Sequence, residues 1–121
     1  MREVVKAFKA LSDETKLRAL NILLERECCV CEVMQALDIS QSKASRHLSA
    51  LYDAGFLKLR KDGLWSLYSI DRESAPGYIP DLVGAAKKAM QNNNVITQDL
   101  ERLKKAKRVG MSCLKTKLVN G

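Results

Sequence analysis

The sequence predicts a mainly α-helical domain with one small β-hairpin, its elements ordered α-α-α-α-β-β-α-α. Three observations lead there. Apolar residues recur at helical spacing in several windows, a tight turn at Asp38-Ile39-Ser40 joins a short helix to a polar-faced one, and Asp62-Gly63 separates two extended runs. With 121 residues, 46% of them hydrophobic, the chain can bury one modest core.

The elements follow in order. Val4, Ala7, Phe8 and Leu11 form a single stripe on a first helix over residues 3–11. Ser12 and Asp13 cap a second helix that runs to about Leu24 and buries Leu17, Leu20 and Leu24. Val30, Val33, Met34 and Leu37 mark a short third helix. Ser40 then caps a fourth, over about 41–54, which buries Ala44, Leu48 and Leu51 and stops at Gly55, a residue suited to the left-handed position after a helix. The hairpin follows at about 56–70, with Asp62-Gly63 as its two-residue turn. A fifth helix starts near Asp81, Asn92-Asn93-Asn94 breaks it, and Ile96, Leu100 and Leu103 mark a sixth. Residues 1–108 are read as one domain, with the late helices spanning about 78–107, and 109–121 as a flexible basic tail.

Charge narrows the function classes. A formal net charge of +7 attracts polyanions, of which nucleic acid is the commonest. No stretch reaches the ~18 to 20 unbroken apolar residues of a membrane span. Met1 to Leu11 lacks a signal-peptide core with a cleavage site, so a cytoplasmic protein is expected. One histidine, no glycine-rich phosphate loop and no paired carboxylates in a catalytic framework argue against an enzyme.

A short helix, a tight turn and a helix exposing small polar and basic side chains are the parts of a helix-turn-helix, and the basic hairpin after it reads as a wing. Gln41, Ser42, Lys43, Ser45 and Arg46 lie near the start of the second of these helices. Gln pairs with adenine, Arg or Lys with guanine, and serines reach phosphates or bases. Lys58, Arg60 and Lys61 flank the hairpin turn and suit backbone phosphates. His47 is read as a hydrogen-bonded residue beside the core or a DNA-backbone contact rather than a metal ligand.

Cys28, Cys29 and Cys31 crowd into four positions, with Cys113 far away. In a reducing compartment such a cluster serves as a ligand set or a reactive C-x-x-C pair, with core filling as the third reading. At about 100° per residue, Cys28 and Cys31 fall about 60° apart on a helix but Cys29 and Cys31 about 160°. A common ion therefore requires that the start of the third helix unwind or be non-helical already.

The stretch "CVCEVMQALDISQSKASRHLSALYDAGFLKLRKDGLWSLYSI" resembles the winged-helix repressors of the ArsR/SmtB family, bacterial metal and metalloid sensors, most of all the arsenite-responsive ones. Ser42, Ser45, Arg46, His47, Leu48, Leu51, Ala54 and Gly55 carry the recognition-helix signature, and Gly63, Trp65 and Tyr68 that of the wing. The resemblance implies a homodimer, held by the first and late helices, that binds pseudo-palindromic operator DNA and is released by its inducer. It also implies thiolate ligands at Cys29 and Cys31. The family's best-known arsenic site takes a third cysteine three positions later, where this chain has Met34, and Cys28 is the local replacement.

Three soft thiolates suit trivalent arsenic or antimony. Cadmium and lead responses in the family draw on N-terminal cysteines, absent from residues 1–27, although Cys28, Cys29 and Cys31 with water or Cys113 still suit cadmium. Zinc-sensing relatives use histidines on the late helix, where residues 78–108 have none. A thiol-redox switch is the remaining alternative. Cys113 is read as a bystander, with closure of the site as its other role, and no permanent cofactor is expected.

Overall fold

A computed structural model of the chain describes residues 1–108, in the order α1 (Arg2–Leu11), α2 (Glu14–Glu25), β1 (Cys28–Cys29), α3 (Val30–Leu37), α4 (Gln41–Asp53), β2 (Leu57–Asp62), β3 (Trp65–Ile70), α5 (Tyr78–Ala89) and α6 (Asn94–Lys105). The expected architecture is present with one strand added. β1 pairs antiparallel with β3, giving a three-stranded sheet in the order β1-β3-β2, in which Cys28 lies opposite Tyr68 and Cys29 opposite Leu67. The expected tail at 109–121 lies outside the described residues.

Local chemistry sets the boundaries. Asp13 caps α2 by accepting from the Lys16 amide at 2.9 Å, and Ser40 caps α4 by accepting from the Lys43 amide at 3.2 Å. Asp38 ends α3 in the left-handed region at φ 55°, which a short polar side chain tolerates. Gly55 ends α4 at φ 95°, and the Phe56 amide closes the turn onto Leu51 O at 3.1 Å. The hairpin turn sits one residue later than expected: Asp62 pairs with Trp65, so Gly63-Leu64 are its central residues. Only Gly63 of the two has positive φ, at 63°, as a turn with glycine first requires.

One core joins the elements. α2 lies at its centre and touches α1, α3, α4, α5, α6 and β3, while α3 packs against both α4 and α6. Leu20, Ile22, Val33, Leu37, Leu48, Leu51, Phe56, Leu67 and Ile79 are fully buried, each side chain contributing ~1.5–3 kcal/mol by leaving water. α1 contributes little to this core. It buries Ala7 and Ala10, while Phe8 is 57% and Val5 42% exposed. Among the described residues no helix is long and apolar enough to cross a membrane.

Two charged groups are buried in this frame. The Asp99 carboxylate on α6 accepts from Arg18 Nε and Nη2 at 2.8 Å each and from Arg102 Nη2 at 2.7 Å. The same guanidiniums donate to the last carbonyls of α3, Arg18 to Leu37 O at 3.0 Å and Arg102 to Ala36 O at 2.7 Å. Glu32 is the second and belongs to the thiol site.

Candidate nucleic-acid interface and thiol site

α4 presents Ser42, Lys43 and Arg46 to solvent, with Gln41, Ser45 and His47 half-buried beside them, while Ala44 and Leu48 face the core. Ala44, Leu48 and Leu51 recur every third or fourth residue and line one side of the helix, and the polar residues spread around the rest of it. His47 Nδ1 lies 3.8 Å from Asp13 Oδ2. Burial, reinforced by Lys16, pushes its imidazole below the usual value, so it is uncharged at neutral pH.

The basic residues of the wing are engaged within the chain. Arg60 forms a two-pronged pair with Glu27, at 2.8 and 2.6 Å, which holds the Glu27 carboxyl below its usual range. Lys61 Nζ donates to Ser66 Oγ at 2.6 Å, and Lys58 Nζ lies 3.7 Å from Glu73. Arg60 thus ties the wing to the segment that precedes the cysteines.

The cysteines meet at the junction of β1 and α3. Cys28 is fully buried and Cys29 3% exposed; they are adjacent on a strand, so their side chains leave on opposite faces. Cys31 occupies the first turn of α3 and is 7% exposed. All three belong to the core cluster, so core filling, the third reading of the sequence, describes part of what these side chains do. The helical-wheel separation of Cys29 and Cys31 does not apply, because Cys29 is the extended cap residue at φ −85°, ψ 169°.

Burial keeps the Cys28 and Cys29 thiols protonated. Burial pushes Cys28 up to about 12, against the opposing pull of Arg26, and burial also raises Cys29. Glu32 completes a capping box: its amide donates to the Cys29 sulfur, and its carboxylate accepts from the Cys29 amide at 3.0 Å and from Arg26 at 2.7 Å. Burial alone would raise the Glu32 carboxyl, but these donors hold it below its usual value. Among the described residues no three of His, Cys, Asp and Glu are gathered into a group ready to hold a metal ion. Cys113 lies outside the described residues.

Against this geometry, a family model described as "Bacterial regulatory protein, arsR family" matches residues 13–64, from the cap of α2 into the wing. The arsenic resistance transcriptional regulator ArsR1 of Pseudomonas putida is 41% identical over 98 residues, covering 78% of this chain and 73% of that protein. The chain belongs to the arsR family. Its members are DNA-binding transcriptional regulators, not enzymes. The cadmium resistance regulatory protein CadC homolog of Staphylococcus aureus is 44% identical over 72 residues, 59% of this chain and 60% of that protein. The solution structure of a homodimeric winged helix-turn-helix DNA-binding domain from Mycobacterium bovis matches the fold, with a TM-score of 0.63, 24% identity, and coverage of 77% of this chain and 82% of that one.

Sequence reasoning missed Arg18, Asp99 and Arg102, and it missed the capping role of Glu32. Two of them left a signal. Cys29-x-x-Glu32 has capping-box spacing, and Asp99 sits on the apolar stripe of α6 between Ile96 and Leu103, where a carboxylate calls for a buried partner.

Proposed function

We propose that this arsR-family regulator is a cytoplasmic homodimeric repressor, released from operator DNA when trivalent arsenic or antimony binds Cys29 and Cys31 with Cys28 as third ligand. One observation carries the reading: the strand bearing Cys28 and Cys29 is hydrogen-bonded to wing strand β3, and the helix bearing Cys31 packs against α4. A change at the thiols therefore reaches both DNA-reading elements. The arsenic resistance relative supports the choice of inducer.

Arsenous acid exchanges each As–O bond for an As–S bond. The thiol proton leaves with the departing hydroxide as water, and no electron changes hands, so a protonated thiol is a competent reactant. The reading requires Cys31 in its reduced form. Cys28 and Cys29 leave opposite faces of β1, so a shared ion demands that the β1–α3 junction rearrange, and an inducer that binds only the rearranged state lowers DNA affinity.

Gln41, Ser42, Lys43, Ser45, Arg46 and His47 are the proposed DNA contacts of α4, with Lys58, Arg60 and Lys61 those of the wing. Arg60 must exchange Glu27 for phosphate to serve. Residues 1–108 form the proposed DNA-binding and dimerisation unit. Exposed Phe8, Val5 and Val95, and a groove lined by Leu11, Leu17, Met90 and Ile96, support dimerisation through α1 and α6. Two domains are needed to reach half-sites ~34 Å apart. Cadmium is the second reading, supported by the CadC homolog and by thiolate softness.

The test is fluorescence anisotropy on the native promoter fragment. Arsenite, antimonite and cadmium are titrated under reducing conditions, and diamide without reductant. Release by arsenite that is lost in Cys29→Ser and Cys31→Ser supports the reading. Release by diamide alone overturns it, and an unchanged arsenite response in Cys28→Ser removes Cys28 from the ligand set.

A further inference from the structure

After α6 the chain turns back across α3. The Lys107 amide donates to Gln35 Oε1 at 3.1 Å, and Gln35 Nε2 donates to Lys107 O at 2.8 Å, so one side-chain amide engages both backbone groups of one residue. The same Gln35 Nε2 lies 3.2 Å from the Cys31 sulfur, which is itself 3.9 Å from Lys107 O. The Arg108 guanidinium stands 5.6 Å from the centre of the Trp65 ring, with Nη1 3.5 Å from Asp62 Oδ2 at the end of β2 and Nε 3.7 Å from Glu32 Oε1. Cation and ring are within the ~6 Å at which they attract. The Trp65 indole N–H is buried without a hydrogen-bond partner among the described residues, so packing and Arg108 hold the ring.

Each cysteine at the start of α3 thus abuts one anchor of this segment. Cys31 touches Gln35, which holds Lys107. Cys29 shares a capping box with Glu32, which faces Arg108. We infer that residues 107–108 are a strap conveying occupancy of the thiols to the wing, with Gln35 and Arg108 as its positioning residues. The inference rests on the reading that Cys29 and Cys31 take the inducer. A sulfur that binds arsenic no longer accepts from the Glu32 amide, and one drawn toward a shared ion leaves Gln35. Both anchors loosen together, and Arg108 lets go of Trp65 and Asp62. In the inducer-free protein the strap holds the wing ready for DNA.

Trp65 is the only tryptophan, so its emission reports the wing directly. The full chain, as wild type, Arg108→Lys and Gln35→Leu, is titrated with arsenite under reducing conditions. Sulfur-to-arsenic absorption, Trp65 emission and operator anisotropy are followed. In wild type all three change together. Arg108→Lys keeps the charge but loses the planar stack. In both variants arsenic absorption stays at wild-type stoichiometry, Trp65 emission keeps less than about one-fifth of its response, and operator release weakens at least about fivefold. Wild-type emission and release in both variants overturn the strap.

If wild type shows no arsenic absorption, the inducer is wrong, and the strap is judged without it. Inducer-free operator affinities of Glu32→Gln, Arg108→Lys and their double mutant form a cycle. The strap expects the double mutant to bind no worse than the weaker single. Losses that multiply overturn it.

Discussion

Replacing Asp99 with alanine removes the acceptor of three charge-assisted hydrogen bonds at a fully buried position. Deleting one partner of a buried ion pair costs ~3–5 kcal/mol. The lower end applies, because the Arg18 and Arg102 side chains are 18% and 39% exposed and can rehydrate in part, and each keeps a carbonyl of α3. About 3 kcal/mol corresponds to a fall in Tm of more than ~10 °C for a domain of this size. Asp99→Asn keeps the volume and one acceptor and should lose about 2 kcal/mol. Circular-dichroism melts and urea titrations at fixed protein concentration read the effect, since association raises apparent stability. Raising sodium chloride from ~0.1 to ~1 M should leave the difference nearly unchanged, as buried pairs are poorly screened. An Asp99→Ala protein melting within about 2 °C of wild type would refute the claim that this carboxylate ties α6 to α2 and α3.

Other outcomes follow from the same geometry. Cys28 has a folded-state pKa raised to about 12, so the stability it contributes is complete below the unfolded value and is lost as pH rises toward 12. Cys28→Ala should flatten the alkaline limb of the pH–stability curve, and iodoacetamide at pH ~8 should modify Cys28 in the wild type only after urea is added, read by peptide mass spectrometry. Glu32, Glu27 and Asp71 have depressed pKa values, so their contribution is present above about pH 4.5 and is lost as pH falls through the folded values. Glu32→Gln should reduce that acid-side slope in a urea series. Phe8→Glu should yield a folded monomer by sedimentation, with operator affinity at least ~10-fold weaker, because Phe8 contributes surface rather than core.

The helices and the hairpin were legible because their signals are local. Ser40 and Gly55 bracket α4, and the repeat through Ala44, Leu48 and Leu51 fixes its inner face. β1 was not legible. Two cysteines carry no alternation, and their partners Leu67 and Tyr68 lie some forty residues later. The polar face of α4 could be read from side-chain type alone, whereas the engagement of Arg60 depends on Glu27, brought near only by the sheet. The cysteine motif marked where the thiols lie but not their state: burial fixes the protonation of Cys28, and burial is a property of the packed fold. The position of Phe8 followed the same rule, since one apolar stripe does not reveal whether its cover is the same chain or a second copy.

The two ends of α3 are held very differently, and that sets how it can move. Its terminal carbonyls, Ala36 O and Leu37 O, are gripped by guanidiniums anchored on one buried carboxylate, while its first turn hangs from a thiol cap. Such a helix behaves as a lever with its fulcrum next to the α3–α4 turn. Eight residues span about 12 Å, so a tilt of ~5° moves the thiol end by about 1 Å and the fulcrum hardly at all. Motion begun at the cysteines is therefore spent first on β1 and the wing strand paired with it, and α4 feels it last.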